Sequence, residues 1–189
     1  MIHFVAPQEP DEFDKKTRTP GNVWLAEHPT GRPKDFWSAF KQELADGFNN
    51  LCAYTVMYEP VGTVDHYLSC DNHRNQAYEW SNYRFASGWI NSSKRTEDEK
   101  ILDPFMVENG WFKIILPSLQ LVMTDAVPDH YKARAQHTLK RLHLVNDDRV
   151  IKQRREWYRM YQDGELTLIG LERKAPLIAH AVRKQQATV

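Results

Sequence analysis

Apolar residues follow a helical period most clearly in residues 34–48. Five of them recur close to every 3.6 positions: Phe36, Trp37, Phe40, Leu44 and Phe48. This spacing places them on one face, so the segment is predicted to form an amphipathic helix with that face buried. The preceding residues, 1–34, are rich in Pro, Gly and charge, which predicts an extended arm with turns.

The middle of the chain changes to a strand-like pattern. Residues 51–67 favour extended structure, and the sequence EPVG at 59–62 is typical of the turn of a β-hairpin. After a polar loop, residues 78–94 predict a short helix that begins near Ser81. A strand pair followed by a helix predicts a small ββα unit at the centre of the chain.

The remaining elements are predicted to be one hairpin and several helices. Two strands in 111–125 are joined at Pro117-Ser118, and helices are expected near 130–143, near 147–162 and after Pro176. The fold class is therefore α+β, with helices around the central unit and a C-terminal helical lobe. We expect one compact unit of three parts: an arm and helix (1–50), the ββα core (51–95), and the hairpin with the lobe (96–189).

Charge and cysteine content narrow the possible functions. The 189 residues contain 25 Lys or Arg and 25 Asp or Glu, so the formal net charge is zero and non-specific coating of nucleic acid is disfavoured. Two cysteines provide no disulfide framework, which suits a reducing compartment. No apolar stretch approaches a membrane span, and the N-terminus lacks the pattern of a signal peptide. A cytoplasmic protein without membrane contact is expected.

Residues able to cut a phosphodiester bond cluster in the ββα unit. Asp65 and His66 follow a β-branched run, while Asn82, Asn91 and Lys94 lie on the predicted helix. A strand end and a helix joined by a bent loop can face each other. Carboxylate and amide oxygens suit Mg²⁺, and an imidazole without a metal can take a proton from water.

This segment resembles the HNH endonuclease superfamily, the ββα-metal finger. The superfamily carries Asp-His at the end of the first strand, a central Asn, and a last His or Asn on the helix. Asn82 and Asn91 are nine residues apart, which resembles the spacing in the HNH domain of RNA-guided CRISPR nucleases, and Asn91-x-x-Lys94 resembles the end of that motif. Trp80-x-Asn82 and residues 138–158 resemble bacterial HNH proteins encoded beside ATPases in phage-defence operons.

The resemblance implies a role for each matching residue. His66 would be the general base that activates water, and Asp65 with Asn91 would bind one Mg²⁺ or Mn²⁺. Asn82 would hold the loop so that the His66 ring is aimed correctly, and Lys94 would lie near a substrate phosphate. The function implied is metal-dependent cleavage of nucleic acid in anti-phage defence, with DNA favoured over RNA as the substrate and an ATPase as a possible partner.

The sequence departs from this pattern in the residues that would bind structural zinc. Many such proteins bind structural zinc through Cys-x-x-Cys pairs, whereas here Thr55 stands three residues after Cys52. No zinc knuckle is therefore expected. A three-ligand zinc site formed by Cys52, Cys70 and His73 remains an alternative.

Simpler interpretations stand beside these. Asp65-His66 alone is more often a capped strand end, and Asn82 can be a residue at a helix N-terminus. Trp80 and Trp89 suit a core better than a platform for stacked bases. For the whole protein, the alternative is a non-catalytic nucleic-acid or protein-binding module on an HNH-like scaffold within a defence complex.

Residues 131–160 concentrate positive charge, with nine Lys or Arg against three acidic residues. An apolar stripe (Val150, Trp157, Tyr161) leaves three cations on another side of the predicted helix: Lys152, Arg155 and Arg159. These three are predicted to contact nucleic-acid phosphates. Docking of a partner protein or plain solvation would explain the same charges.

Overall fold

Residues 1–187 are described by a computed structural model. Within them the chain forms seven α-helices and two two-stranded antiparallel sheets, so it is mixed α and β as the sequence predicts. No helix in this range is long and apolar enough to cross a bilayer. The division into three parts stays a prediction.

The N-terminal segment is helical in its second half, so the predicted extended arm is wrong there. A π-helical turn, Asp14–Arg18, continues into α1, Thr19–Glu27. Pro20 is the second residue of α1 and follows the π-helical turn, so its missing N–H falls within one continuous helical segment. Gly21 packs so tightly that an added Cβ would overlap the ring of Tyr78. The Pro-Gly pair thus lies within a helical segment and marks a close contact rather than a turn.

The predicted amphipathic helix is confirmed. A 3₁₀ turn, Trp37–Phe40, leads into α2, Lys41–Gly47. Phe40, Leu44 and Phe48 are buried, as their spacing requires. Both the turn and α2 pack against the first strand of the central sheet.

The central sheet differs from the predicted hairpin. β1, Thr63–His66, pairs antiparallel with β2, Tyr83–Ala86, and the pairing sets His66 opposite Tyr83. Residues 51–58 contribute only an isolated bridge between Leu51 and Tyr58. The turn expected at 59–62 therefore does not join two strands.

β2 lies inside the segment that was predicted to be a helix. All four of its residues are buried, so the alternation of exposed and buried positions that identifies a strand is missing. The helix begins later than predicted, as α3, Gly88–Lys94. The order β1, β2, α3 is still a ββα unit, and α3 packs against β1.

The C-terminal half follows the predictions closely. The predicted hairpin is β3, Phe112–Ile115, with β4, Gln120–Met123. The predicted helices are α4, Asp129–Arg141, α5, Asp148–Gln162, and α7, Pro176–Gln186. One further helix, α6, Leu168–Lys174, was not predicted.

Candidate functional site

Asp65 is buried at the end of β1, and each of its carboxylate oxygens has a partner. The Tyr54 hydroxyl donates a 2.7 Å hydrogen bond to Oδ2, and the Lys94 ammonium lies 3.3 Å from Oδ1. Burial, with the nearby Asp65 charge, raises the pKa of the Tyr54 phenol well above its ordinary value. Tyr54 therefore remains a hydrogen-bond donor to the carboxylate over the physiological pH range.

Lys94 does not lie where a substrate phosphate could reach it. The residue is fully buried, and its ammonium donates a 2.7 Å hydrogen bond to the carbonyl of His66 besides contacting Asp65. Because the four-carbon stem folds inward from α3 to β1, the charge fixes the Asp65-His66 dipeptide. The expectation of a phosphate contact is not met by this placement.

The His66 imidazole is held by one hydrogen bond and two aromatic contacts. Its Nε2 lies 2.9 Å from the carbonyl oxygen of Ala77, and because a carbonyl only accepts, Nε2 carries the proton and Nδ1 keeps a lone pair. The rings of Trp37 and Tyr83 meet it edge-on at centroid distances of 4.6 and 4.9 Å. Burial lowers the pKa of His66 below its ordinary value, so the ring is neutral at neutral pH.

Asn82 fixes the loop that carries the carbonyl bound to His66. Its Oδ1 accepts a hydrogen bond from the backbone N–H of Leu68 at 2.7 Å. Its Nδ2 donates to the carbonyls of Leu68 and Gln76 at 2.9 and 3.0 Å. Gln76 directly precedes Ala77, so Asn82 acts on His66 through the backbone and not by direct contact.

Asp65, His66 and Asn91 line one pocket of about 440 Å³, named here the His66 pocket. Asn91 on α3 donates through Nδ2 to the Thr63 hydroxyl and to the Val64 carbonyl, both at 3.2 Å. Its Oδ1 accepts no hydrogen bond from any residue in 1–187. The predicted site thus divides into three residues on the pocket wall and two buried supports, Asn82 and Lys94.

The donor set of the His66 pocket fits a hard divalent ion. Mg²⁺ is typically held by one or two carboxylates with water and substrate phosphate completing its shell. Asp65 would provide a carboxylate and Asn91 an amide oxygen, since both line the pocket. Lys94 contacts the Asp65 carboxylate, so an ion held there would share it with an ammonium.

No protein ligand cluster of the zinc type is formed in the described range. Groups of three or more His, Cys, Asp or Glu side chains arranged around a common point are absent from residues 1–187. Cys52 is buried beside Ser87, with 3.8 Å between Sγ and the hydroxyl. Cys70 instead lines the His66 pocket, where burial, reinforced by Asp71, raises the pKa of its thiol to about 11.

Two arginines that were not identified from the sequence line the His66 pocket. Arg32 and Arg95 are exposed, and neither forms an ion pair with a residue that the structure describes. Arg95 directly follows the Asn91-x-x-Lys94 motif, and this position could have identified it from the sequence. Arg32 lies in the Pro- and Gly-rich stretch before α2, where no pattern distinguishes it.

The cations of α5 are less available than predicted. Arg159 contacts three carboxylates, Glu156 at 3.3 Å, Asp163 at 2.8 Å and Glu165 at 3.4 Å. Because its charge is already balanced, Arg159 is a poor phosphate ligand. Lys152 and Arg155 are exposed, without ion pairs to the described residues, and their predicted role stays a prediction.

Arg154, counted among the nine cations, is a buried structural residue. Its guanidinium donates to the backbone carbonyls of Leu119, Leu144 and Val145 at 2.7–3.0 Å. Burial lowers its pKa to about 10, which still leaves it charged at neutral pH. It joins the β3–β4 turn to the segment between α4 and α5 and contributes nothing to a surface patch.

Trp80 and Trp89 are placed as core residues, as expected from the sequence, rather than as platforms for stacked bases. Trp80 is buried and donates through Nε1 to the Pro7 carbonyl at 2.9 Å. Trp89 is half-buried and covered by Arg149, whose guanidinium carbon lies 4.4 Å from the ring centroid. The ring of Trp80 is therefore closed to a nucleobase, and Arg149 lies over the ring of Trp89.

No protein-family model matches the chain, and no curated protein matches it.

Proposed function

We propose that this protein is a metal-dependent HNH-type endonuclease that hydrolyses phosphodiester bonds in nucleic acid, with DNA favoured over RNA, as an effector of anti-phage defence. The His66 pocket is the observation that supports this most. Its lining includes an oriented neutral imidazole, His66, with the carboxylate residue Asp65 and the amide residue Asn91. The order β1, β2, α3 also agrees with the ββα finger that the resemblance implies.

His66 is the proposed general base. Water attacks the scissile phosphorus, its proton passes to Nδ1, and the bond to the 3′ oxygen breaks. The departing 3′ oxygen takes a proton from solvent water, and the imidazolium returns its proton to solvent. The products are a 5′-phosphate and a 3′-hydroxyl. The Ala77 carbonyl, which accepts from Nε2, holds the ring in this tautomer and stabilises the imidazolium that forms.

Asp65 and Asn91 are the residues that would hold Mg²⁺ or Mn²⁺. Bound there, the ion supplies positive charge against the phosphate and the departing oxygen. Tyr54 and Lys94 keep the Asp65 carboxylate in place at the strand end. They are positioning residues, since neither lines the pocket.

Partner and compartment follow from the resemblance and the composition. Two unpaired cysteines suit the cytoplasm, and an ATPase is the partner that the resemblance suggests. A net charge of zero means that DNA is held by local cations or with the help of that partner.

The test is cleavage of supercoiled plasmid by the purified protein with Mg²⁺ or Mn²⁺, with EDTA as the control. We expect nicking only with metal, and product ends that are 5′-phosphate and 3′-hydroxyl. Failure to cleave either plasmid DNA or structured RNA with both metals would contradict the proposal.

The alternative function is a non-catalytic nucleic-acid-binding module on the same scaffold. The engagement of both Asp65 oxygens by Tyr54 and Lys94 favours it, because a carboxylate already paired is a weaker metal ligand. This alternative predicts DNA binding of equal strength with and without metal, and no cleavage.

A further inference from the structure

We propose that Arg32 and Arg95 form a clamp for the backbone phosphates of the DNA strand that enters the His66 pocket. The inference rests on the proposed function of the same pocket and identifies residues that the motif does not contain. The two arginines come from segments far apart in sequence and line the same pocket. Both are exposed.

Arg32 is carried on a segment that is anchored on both sides. The Arg74 guanidinium donates to the carbonyl of Gly31, directly before Arg32. The Tyr78 hydroxyl donates to the carbonyl of Lys34 at 2.8 Å, two residues after it. Anchoring lowers the entropy lost when the arginine is immobilised by a ligand, so the side chain is suited to binding.

Arg95 lines the pocket even though its backbone conformation is strained. It ends α3 with φ +52° and ψ −125°, a combination that residues other than glycine rarely adopt. Its N–H is bonded to the carbonyl of Asn91 at 3.2 Å. A glycine would fit this end of the helix without strain, so an arginine here points to a use for the side chain.

The charge around the pocket favours an anion. Arg32, Arg74 and Lys94 all act electrostatically on the Cys70 thiol in the pocket wall, opposed by Asp71. The other acid of the wall, Asp65, is balanced by Lys94. The lining thus carries two arginines, Arg32 and Arg95, against one carboxylate without an ion pair, Asp71. The planar N–H donors of the arginines match phosphate oxygens.

The experiment measures DNA binding in the His66→Ala background with EDTA, so that no strand is cut. Anisotropy of a labelled duplex oligonucleotide is followed against salt for Arg32→Gln and Arg95→Gly. The matched control is Arg173→Gln, an exposed arginine on α6. Arg155→Gln tests the α5 surface as the competing phosphate site.

Arg32→Gln and Arg95→Gly are each expected to weaken binding by about three- to tenfold and to lower the salt slope by about one. Arg95→Gly should unfold at the same or a higher temperature, because glycine relieves the strain. A merely structural role for Arg95 would instead lower the melting temperature. Arg173→Gln should leave both affinity and slope unchanged.

The clamp is overturned if the two pocket variants show the same affinity and salt slope as Arg173→Gln. It is also overturned if the His66→Ala background protein shows no measurable DNA binding. Loss confined to Arg155→Gln would move the phosphate site to α5 and overturn it too. If the pocket variants lose binding but protein with intact His66 never cleaves, the clamp stands and the nuclease proposal fails. If both pocket variants bind DNA normally and cleavage depends on His66, the clamp fails and the nuclease proposal stands.

Discussion

Asn82 shows at the scale of one residue how a motif position acts without touching substrate. Every polar atom of its side chain is bonded to the backbone of the loop between β1 and β2. The loop in turn presents the carbonyl that fixes the tautomer of His66. Residue type and spacing identify such a position, but they do not reveal that Lys94, from the same motif, turns inward to Asp65.

Replacing Asn82 with Ala should lower the free energy of unfolding by about 2–3 kcal/mol. The change leaves the backbone groups of Leu68 and Gln76 without their partners in a partly buried loop. A fully buried group would lose about 1–3 kcal/mol, and partial access of water reduces that cost. Urea denaturation measures it, with the exposed Asn75→Ala in the same loop as the control. Equal stability of the two variants would show that the loop holds its shape without Asn82.

At the scale of elements, β2 is held in place by a clamp from another part of the chain. Arg84 donates Nε to Oδ1 and Nη2 to Oδ2 of Asp103, at 2.8 and 2.7 Å. The guanidinium carbon lies 3.6 Å from the ring centroid of Phe105. Since Arg84 is opposite Asp65 in the strand register, this clamp also supports the strand end that carries the site.

Arg84→Met should lower the free energy of unfolding by about 3–5 kcal/mol, because Asp103 is left as a largely buried and unpaired charge. Thermal unfolding of Arg84→Met, Asp103→Leu and the double variant gives the coupling between the two residues. The double variant is expected to recover part of the loss. Additive losses in the two single variants would mean that the pair does not act as a clamp.

Helices and strands were predictable from sequence where a clear apolar period was accompanied by residues that mark the ends of the element. Helix α2 and the β3–β4 hairpin have a clear apolar spacing or a proline between strands, and both were located. Strand β2 was missed because it is buried on both faces and so has no alternation. Helix α1 was missed because its Pro-Gly pair resembles a turn, and only the Tyr78 ring explains the glycine.

At the scale of the whole molecule, a net charge of zero conceals an uneven distribution. Four of the nine cations of residues 131–160 form ion pairs, with Glu97, Asp129, Asp147 and the acids around Arg159, and Arg154 is buried. The other four are exposed without ion pairs to residues 1–187: Arg134, Lys140, Lys152 and Arg155. Arg32 and Arg95 also lack such partners in this range, but they line the His66 pocket. Counting charges along the sequence does not separate paired from unpaired cations, because ion pairs across the fold are not visible there.

The measurement that tests the central claim most directly is plasmid nicking by the wild type beside His66→Ala, with the exposed His180→Ala on α7 as the matched control. With Mg²⁺ or Mn²⁺, we expect the wild type and His180→Ala to nick at the same rate. His66→Ala should lose at least about 100-fold in rate while its circular dichroism stays unchanged. Nicking by His66→Ala at the rate of the wild type would contradict the account, because the imidazole in the pocket would then have no part in the reaction.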